Sequence, residues 1–450
     1  MTQVKGFVPS SRATLGTGPL FAAVEQRPQG GPRWLQDVRD KAAARFAALG
    51  FPSVRDEEWR FTNVSPIAST EFRPASQADV AGTAIDALPY GNLPFRLTIL
   101  NGRFAPALSR LLNLPAGVRA GSLAAAFTEH GDEVPRYYAQ AADFHSRAFV
   151  ALNTALAADG AYLYIPDGVV FEHPIEVLYV AAGGGADAEI INARTLIVAG
   201  AGSQVRIVET YATIREGTYF TNAVTELFAG ENAIVDHYKV QQEALGAFHI
   251  ATMQINAQRS ANVSSHSFSL GGRFVRNDVN AVLDGEGAEV TLNGLYLADG
   301  ERLIDNHTTI DHAKAHCPSH EVYKGILGGR ARAVFNGKII VRQDAQKTDA
   351  KQTNRALLLS DNASINTKPQ LEIFADDVKC THGAAIGQLD EDAIFYLRAR
   401  GLTYFEARDM LIHAFAGQII DGVKVEALRT ALEAELYAQL AKDLAEMDAA

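Results

Sequence analysis

Cysteine occurs only twice in 450 residues, as Cys317 and Cys380. Disulfides therefore cannot frame the fold, and each thiol is either reactive or incidental. Positive charge is also short: 41 Lys and Arg stand against 52 Asp and Glu, a formal charge of -11. That balance repels a phosphate backbone, so no nucleic acid is expected as a partner. No apolar run reaches the roughly 18 residues of a membrane-spanning helix, and Met1–Arg12 lack the basic-then-apolar pattern of a signal peptide. The expectation is a cytoplasmic protein with no membrane partner. Neither G-x-x-x-x-G-K-[ST] nor a G-x-G-x-x-G leading from strand to helix occurs, and G-x-S-x-G is absent too. Nucleotide chemistry and the simplest serine hydrolase are thereby set aside. What remains is an ordinary globular composition, 47% hydrophobic and 21% charged, long enough for about three folded units.

The texture changes along the chain. From Pro32 to Pro52, Trp34, Val38, Ala42, Phe46 and Leu49 recur at helical spacing, with Gly50 as a stop. Phe95 to Phe104 reads as strand, tight turn, strand, and Ser122–Phe127 and Ala148–Ala157 as helices. From about Gly160 to Asp376, short strands rich in Val, Ile, Thr, Tyr and Phe dominate. A small-polar corner before an apolar strand start recurs at Gly202, Glu231, Ser260 and Gly287, with spacings of 29, 29 and 27, and returns near Ala331 and Asn362. Such a period implies stacked coils sharing one core, a parallel β-helix; an antiparallel sandwich or barrel would show similar turn spacing. The end of the chain reads as three helices: Glu391–Arg400 capped by Asp390, a second opened by Thr403–Glu406 as a capping box, and a third over Val425–Met447 with leucine every four residues. A helical cap on the last coil is expected, because that coil otherwise exposes its apolar stack. The domains are thus residues 1–159, 160–376 and 377–450.

Two groups of residues carry candidate chemistry. His307, His312, His316 and His320 lie close together with Cys317, but an extended backbone would spread them along coils, and their spacing matches no standard zinc pattern. No metal site is expected on the isolated chain. In Asp376–Gly383, Cys380 and His382 point to one side of a strand, a nucleophile or soft ligand beside a proton acceptor or second ligand, with Lys379 placed to lower the thiol pKa. The alternative is a buried, inert cysteine beside a satisfied histidine. Two ligands leave a metal under-coordinated, so a functional site would be shared with another chain.

The segment Glu372–Asp390, with Phe395–Gly401, resembles the SufD branch of the SufB/SufD family of iron-sulfur cluster assembly scaffolds. The resemblance continues through Asp305–Thr309, His316–Cys317, Tyr323–Gly325, Phe335–Lys338, Asp344–Ala350 and Glu58–Thr62. It implies a right-handed parallel β-helix between helical ends and a subunit that is not itself an enzyme. It implies partners: a SufB-like paralogue through the β-helix and a SufC-like ATPase through the C-terminal helices; whether the chain alone is a monomer or a homodimer the residues leave open. It also implies a nascent iron-sulfur cluster shared with SufB, for which His382 matches the interface histidine and Cys380 a nearby cysteine. Phe395, Tyr396, Arg398 and Arg400 are the expected ATPase contacts. The residues leave open whether a flavin joins the assembled complex. The rival reading is a β-helix lyase or hydrolase acting on acidic polysaccharide, with Asp376 and Asp377 as acid and base; adjacent strand residues point to opposite faces, which weakens that pair.

Overall fold

A computed structural model describes residues 19–90, 93–183 and 187–448 of the chain; Met1–Arg12 lie outside the described residues. From Ala161 the strands alternate between two sheets, each pairing in parallel with the strand one coil earlier. Sheet one stacks Ala161–Ile165, Ala188–Ala199, Tyr219–Ala229, Ala247–Ala257, Phe274–Leu283, Leu303–His312, Arg332–Val341 and Ser364–Ile373. Sheet two stacks Ile175–Ala181, Gln204–Thr213, Ile234–Gln242, Asn262–Ser269, Glu289–Ala298, Pro318–Leu327, Asp349–Leu358 and Lys379–Gly387. This is a parallel β-solenoid, and the parallel pairing removes the sandwich alternative. Strand register continues to Gly387, past the 376 boundary read from composition.

The corners explain the repeat. Gly202, Asn232, Ser260 and Gly287 adopt φ of 65°, 56°, 54° and 71°, left-handed backbone that glycine and short polar residues tolerate best. Each is followed by a small, fully buried residue, Ser203, Ala233, Ala261 or Ala288, and then by in-register strand starts at Gln204, Ile234, Asn262 and Glu289. The equivalent of Gly202 in the second coil is Asn232, not Glu231, a one-residue correction to the sequence alignment. The returns near Ala331 and Asn362 belong to the opposite wall, sheet one. Inward positions interlock: a Cβ on Gly294 would sit 2.2 Å from the Tyr323 ring stacked on the next coil.

Each outer wall is clothed by one helical region. Sheet one is covered by Arg33–Leu49, Ala148–Leu156 and the segments between, through Phe46, Phe72 and Phe149 on Phe220, Phe248 and Phe274. Gly50 ends the first of these helices, as its spacing required. A buried ionic knot fastens this region to the solenoid. Arg276 donates to Asp278 and to Asp305 (2.7 Å), stacks 3.7 Å from the Trp59 ring centroid, and donates to the Glu58 carbonyl at 2.8 Å. Thr62 donates to Asp305 at 2.5 Å, and His307 contacts both Asp305 and Glu58. The His307 hydrogen bond holds the Glu58 carboxyl down at about 2.

Sheet two is covered by Tyr404–Ile420 and Glu426–Asp448: their Ile412, Ile419, Leu428, Leu432 and Leu436, with Val425 between the two helices, pack on Tyr238, Phe268, Leu295 and Ile326. Leu440 and Leu444 of the leucine series lie outside the residues whose side chains are described. Lys424 reaches Asp236 at 2.7 Å and Lys324 donates to the Phe415 carbonyl at 2.7 Å. These helices lie along the solenoid and do not cover its last coil, contrary to the expected cap. The first coil, by contrast, is closed by short antiparallel strands, Arg103–Phe104 and Arg119–Ser122.

Candidate functional site

The open end is where the chain's second cysteine lies. Lys379–Gly387 pairs on one side only, with Asp349–Leu358, in the register Cys380 to Ala350, His382 to Gln352, Ala384 to Asn354 and Ile386 to Ala356. Those four partners are buried, while the intervening Lys351 and Arg355 are exposed. Cys380 and His382 therefore occupy the inward-facing side of the final strand, and His382 is open to solvent because no further coil stacks on it. Around it Ile373, Phe374 and Ile386 are exposed, Phe374 to 64%. An unpaired strand edge flanked by apolar side chains is a template for pairing with another chain.

Two polar residues stack beneath His382, and below them the column passes through apolar Leu292. In register with His382 stand Gln352, Glu321, Leu292, Ser265 and His237. Gln352 donates its amide to Glu321 at 2.8 Å, and its own carbonyl oxygen has no partner among the described residues. Gly337 makes room for this amide, since a Cβ there would lie 2.1 Å from Gln352 Nε2. Burial pushes the Glu321 carboxyl, two coils behind the open end, up to about 7.

Glu176, buried against the hairpin side of the solenoid, is pushed up to about 8 in the same way. Both acids stay protonated in the folded chain at pH values where an unfolded carboxyl, near 4.5, has ionised. At these two sites the unfolded state then binds fewer protons, so their contribution to stability falls as pH rises from about 4.5 to 8 and levels off above it. Glu176→Gln, which mimics the protonated acid, is expected to flatten this fall. It should gain roughly 1–4 kcal/mol over wild type at pH 8 and little at pH 4.5. Urea midpoints at the two pH values check it; equal gains at both would contradict it.

Cys380 is half-buried, and burial, with Asp349 nearby, pushes its thiol up. The expected lowering by Lys379 is not found, because successive strand residues point to opposite faces. The histidine group disperses as extended backbone requires. His307 faces outward in the ionic knot, His312 faces inward and bonds Ser319 at 2.9 Å, and His316 occupies a left-handed turn. Cys317 is buried, with its thiol pushed up and directed at the Gly285 carbonyl, 3.3 Å away. Among the described residues no three His, Cys, Asp or Glu side chains gather into a metal-holding group.

Three residues beyond this strand the chain turns into helix. Asp390 accepts from the backbone N–H of Asp392 and Ala393, capping Glu391–Arg398. Phe395 and Tyr396 are 74% and 56% exposed, Arg398 and Arg400 are exposed, and Arg400 lies 3.2 Å over the Tyr396 ring. These four form an open surface rather than helix packing, and only Ile394 of that helix is buried.

The largest feature that sequence reasoning missed is inside the solenoid. Glu209 accepts from Thr225 at 2.9 Å and pairs with His237 at 3.1 Å, while Lys239 donates to Asn277 at 2.6 Å and approaches His249 at 2.8 Å. His249 in turn meets Glu243 at 2.7 Å. Burial lowers Lys239 to about 8; for Glu209 burial works the other way, and His237 and Tyr211 overcome it to hold the carboxyl at about 2. The available signal was register: Glu209, Lys239 and Ser267 share one inward column with Gly294 and Tyr323.

Comparison with known proteins agrees with this architecture. Residues 22–177 match the SufBD protein N-terminal region, and residues 180–415 match the SufBD core domain of SUF system FeS cluster assembly. The chain is 35% identical over 405 residues to an iron-sulfur cluster assembly SufBD family protein of Synechocystis, covering 88% of this chain and 89% of that one. It is 29% identical to the iron-sulfur cluster assembly protein SufD of Escherichia coli, over 87% of this chain and 90% of that one. To SufD of Bacillus subtilis it is 26% identical, over 89% and 93%. A solenoid clothed on both walls, open at the Cys380–His382 end and matched along nearly its whole length, belongs to the SufBD family of iron-sulfur cluster assembly proteins.

Proposed function

We infer that this chain is a SufD-like, non-catalytic subunit of a cytoplasmic cluster-assembly complex. It pairs with a SufB-like paralogue through the open solenoid end and binds a SufC-like ATPase through the C-terminal helices. The observation that carries this reading is the unpaired Lys379–Gly387 edge, which presents His382 and Cys380 beside exposed Ile373, Phe374 and Ile386. A second solenoid of the same width would continue both sheets, satisfy the edge N–H and C=O groups and bury the apolar rim. The nascent cluster is cargo: His382 supplies one ligand, and the partner's side of the joint supplies thiolates. In the absence of the paralogue the same edge would pair with a second copy of this chain.

The ATPase lies on a different surface. Phe395, Tyr396 and Arg398 are exposed on a helix joined to the edge strand by residues 388–390, and Arg400 is exposed in the turn just past it. Movement of that helix would therefore be felt directly at Lys379–Gly387. Phe395→Ser with Tyr396→Ser is expected to cut ATPase binding at least tenfold without lowering the melting temperature, since neither ring is buried. Removing residues 390–450 is a poor test, because it would uncover Tyr238, Phe268 and Leu295.

The experiment is co-expression with the paralogue and the ATPase, comparing wild type with His382→Ala for assembly and for iron and sulfide content. An intact complex lacking cluster is the expected result; an intact complex with full cluster content contradicts the role of His382. The polysaccharide reading has little in its favour beyond the solenoid itself, since Asp377 is engaged by Lys347.

A further inference from the structure

The Glu57–Trp59 turn reaches the last coil of sheet one, where Lys368 engages Glu57. A cavity of about 480 Å³ lies beside it, with Val54, Arg60 and Phe61 on one side and Val334, Asn336 and Thr367 on the other. Val54 and Phe61 are 49% and 45% exposed, so apolar packing here is slight and the 57–62 segment depends largely on the ionic knot for its attachment.

His307 stands at the centre of that knot. Its Nδ1 lies 3.3 Å from Glu58 Oε2 and its Nε2 3.0 Å from Asp305 Oδ1. A neutral imidazole offers one donor and one lone pair, so one of the two carboxylates would face that lone pair. Only the imidazolium donates to both. Every charged group packed around the ring bears on its proton. Asp305 comes from its own strand, Arg276 and Asp278 from the strand one coil earlier, Lys338 from the strand one coil later, and Glu58 from the N-terminal segment. Arg147 approaches Asp278 at 3.9 Å, and Glu372 approaches Lys338 at 3.4 Å. Burial disfavours the charged ring, but Asp305 and Glu58 outweigh burial and Arg276 and hold it above its ordinary 6.5.

The two carboxylates are not equivalent. Asp305 is fully buried and keeps Arg276 and Thr62 as donors. The Glu58 side chain is 49% exposed, and its other neighbours are Asn336 Nδ2 at 3.3 Å and Lys338 Nζ at 4.0 Å. A ring that loses one proton therefore keeps its bond to Asp305 and turns a lone pair toward Glu58, which is free to move into solvent.

We propose that His307 is an acid-locked latch: protonated, it holds the 57–62 segment on the last coils of sheet one, and deprotonated, it releases Glu58 and lets the segment lift away from the cavity. Because the folded ring binds its proton more tightly than the unfolded one, this contribution is complete below about 6.5 and is lost as pH rises through the folded value. The latch lies on the outer wall and does not involve Cys380 or His382.

Hydrogen–deuterium exchange of the full-length chain at pH 6 and pH 9, each amide corrected for its intrinsic rate, tests this. In wild type, amides of the 57–62 segment should lose protection at least fivefold between the two pH values, while those of Leu303–His312 change less than twofold. Glu58→Gln, a half-exposed change, should keep the segment protected within twofold at pH 9, because its amide N–H donates to the lone pair of the neutral ring. His307→Gln, whose side chain does not titrate, should show no pH dependence in the segment. Wild-type protection that is the same at both pH values overturns the latch. So does a loss in Glu58→Gln or His307→Gln as large as in wild type, which would assign the pH dependence to other groups.

Discussion

Replacing Ala384 and Ile386 by lysine is expected to abolish pairing with the SufB-like paralogue, lowering affinity at least a hundredfold, while the isolated chain keeps its fold. Both residues are exposed in the free chain, so the lysines cost it little. Both also lie in the inward-facing register, opposite Asn354 and Ala356. A solenoid stacking on this edge would bury two ammonium groups in a shared core with no counter-charge. Inward-pointing lysine on an edge strand is the device by which natural sheets prevent such joining. The control is Lys379→Glu with Thr381→Lys on the alternate face of the same strand, which should reduce affinity less than fivefold. Size-exclusion chromatography of the co-expressed pair reads both, and retained pairing of the double-lysine variant would move the interface elsewhere.

Arg276→Ala is expected to cost roughly 3–5 kcal/mol, because it leaves Asp278 and Asp305 buried without their cation. The same change removes the guanidinium stacked on Trp59 and the bond to the Glu58 carbonyl. The N-terminal region should therefore loosen from sheet one before the solenoid itself unfolds. Limited proteolysis in the 50–70 segment, set against far-ultraviolet dichroism of the strands, separates the two events. Arg276→Lys should recover only part of the loss, since an ammonium cannot reach both carboxylates and the ring with the same planar geometry. If Arg276→Ala melts like wild type, the knot contributes nothing to docking.

Much of the architecture could be read from the chain. Corner residues with left-handed backbone come from a short menu, so Gly202, Asn232, Ser260 and Gly287 left a visible period, although Glu231 beside Asn232 disguised the alignment by one place. The helix signals of the C-terminal region were equally local: Asp390 and the Thr403–Glu406 capping box perform the bonds their types suggest. The facing of Cys380 and His382 followed from strand alternation alone.

What escaped was non-local. Glu209 and Lys239 on strands look like solvent-facing charge, and only the stacking of coils shows that they point inward and share a column. The leucine series of the last helix announces a buried face but not which surface it meets, so a cap on the final coil was expected where the helix covers sheet two. The thiol of Cys380 depended on the half-buried strand edge and Asp349, neither of which is adjacent in sequence.

The central claim is that the open end of the solenoid is the joint with the paralogue. Hydrogen–deuterium exchange of this chain, alone and in complex with the SufB-like protein, tests it most directly. Amides of Lys379–Gly387 and Ser364–Ile373 should be the main ones to gain protection, because their outer edges acquire partners there. Unchanged exchange in both strands, with protection gained on either clothed wall instead, would contradict it.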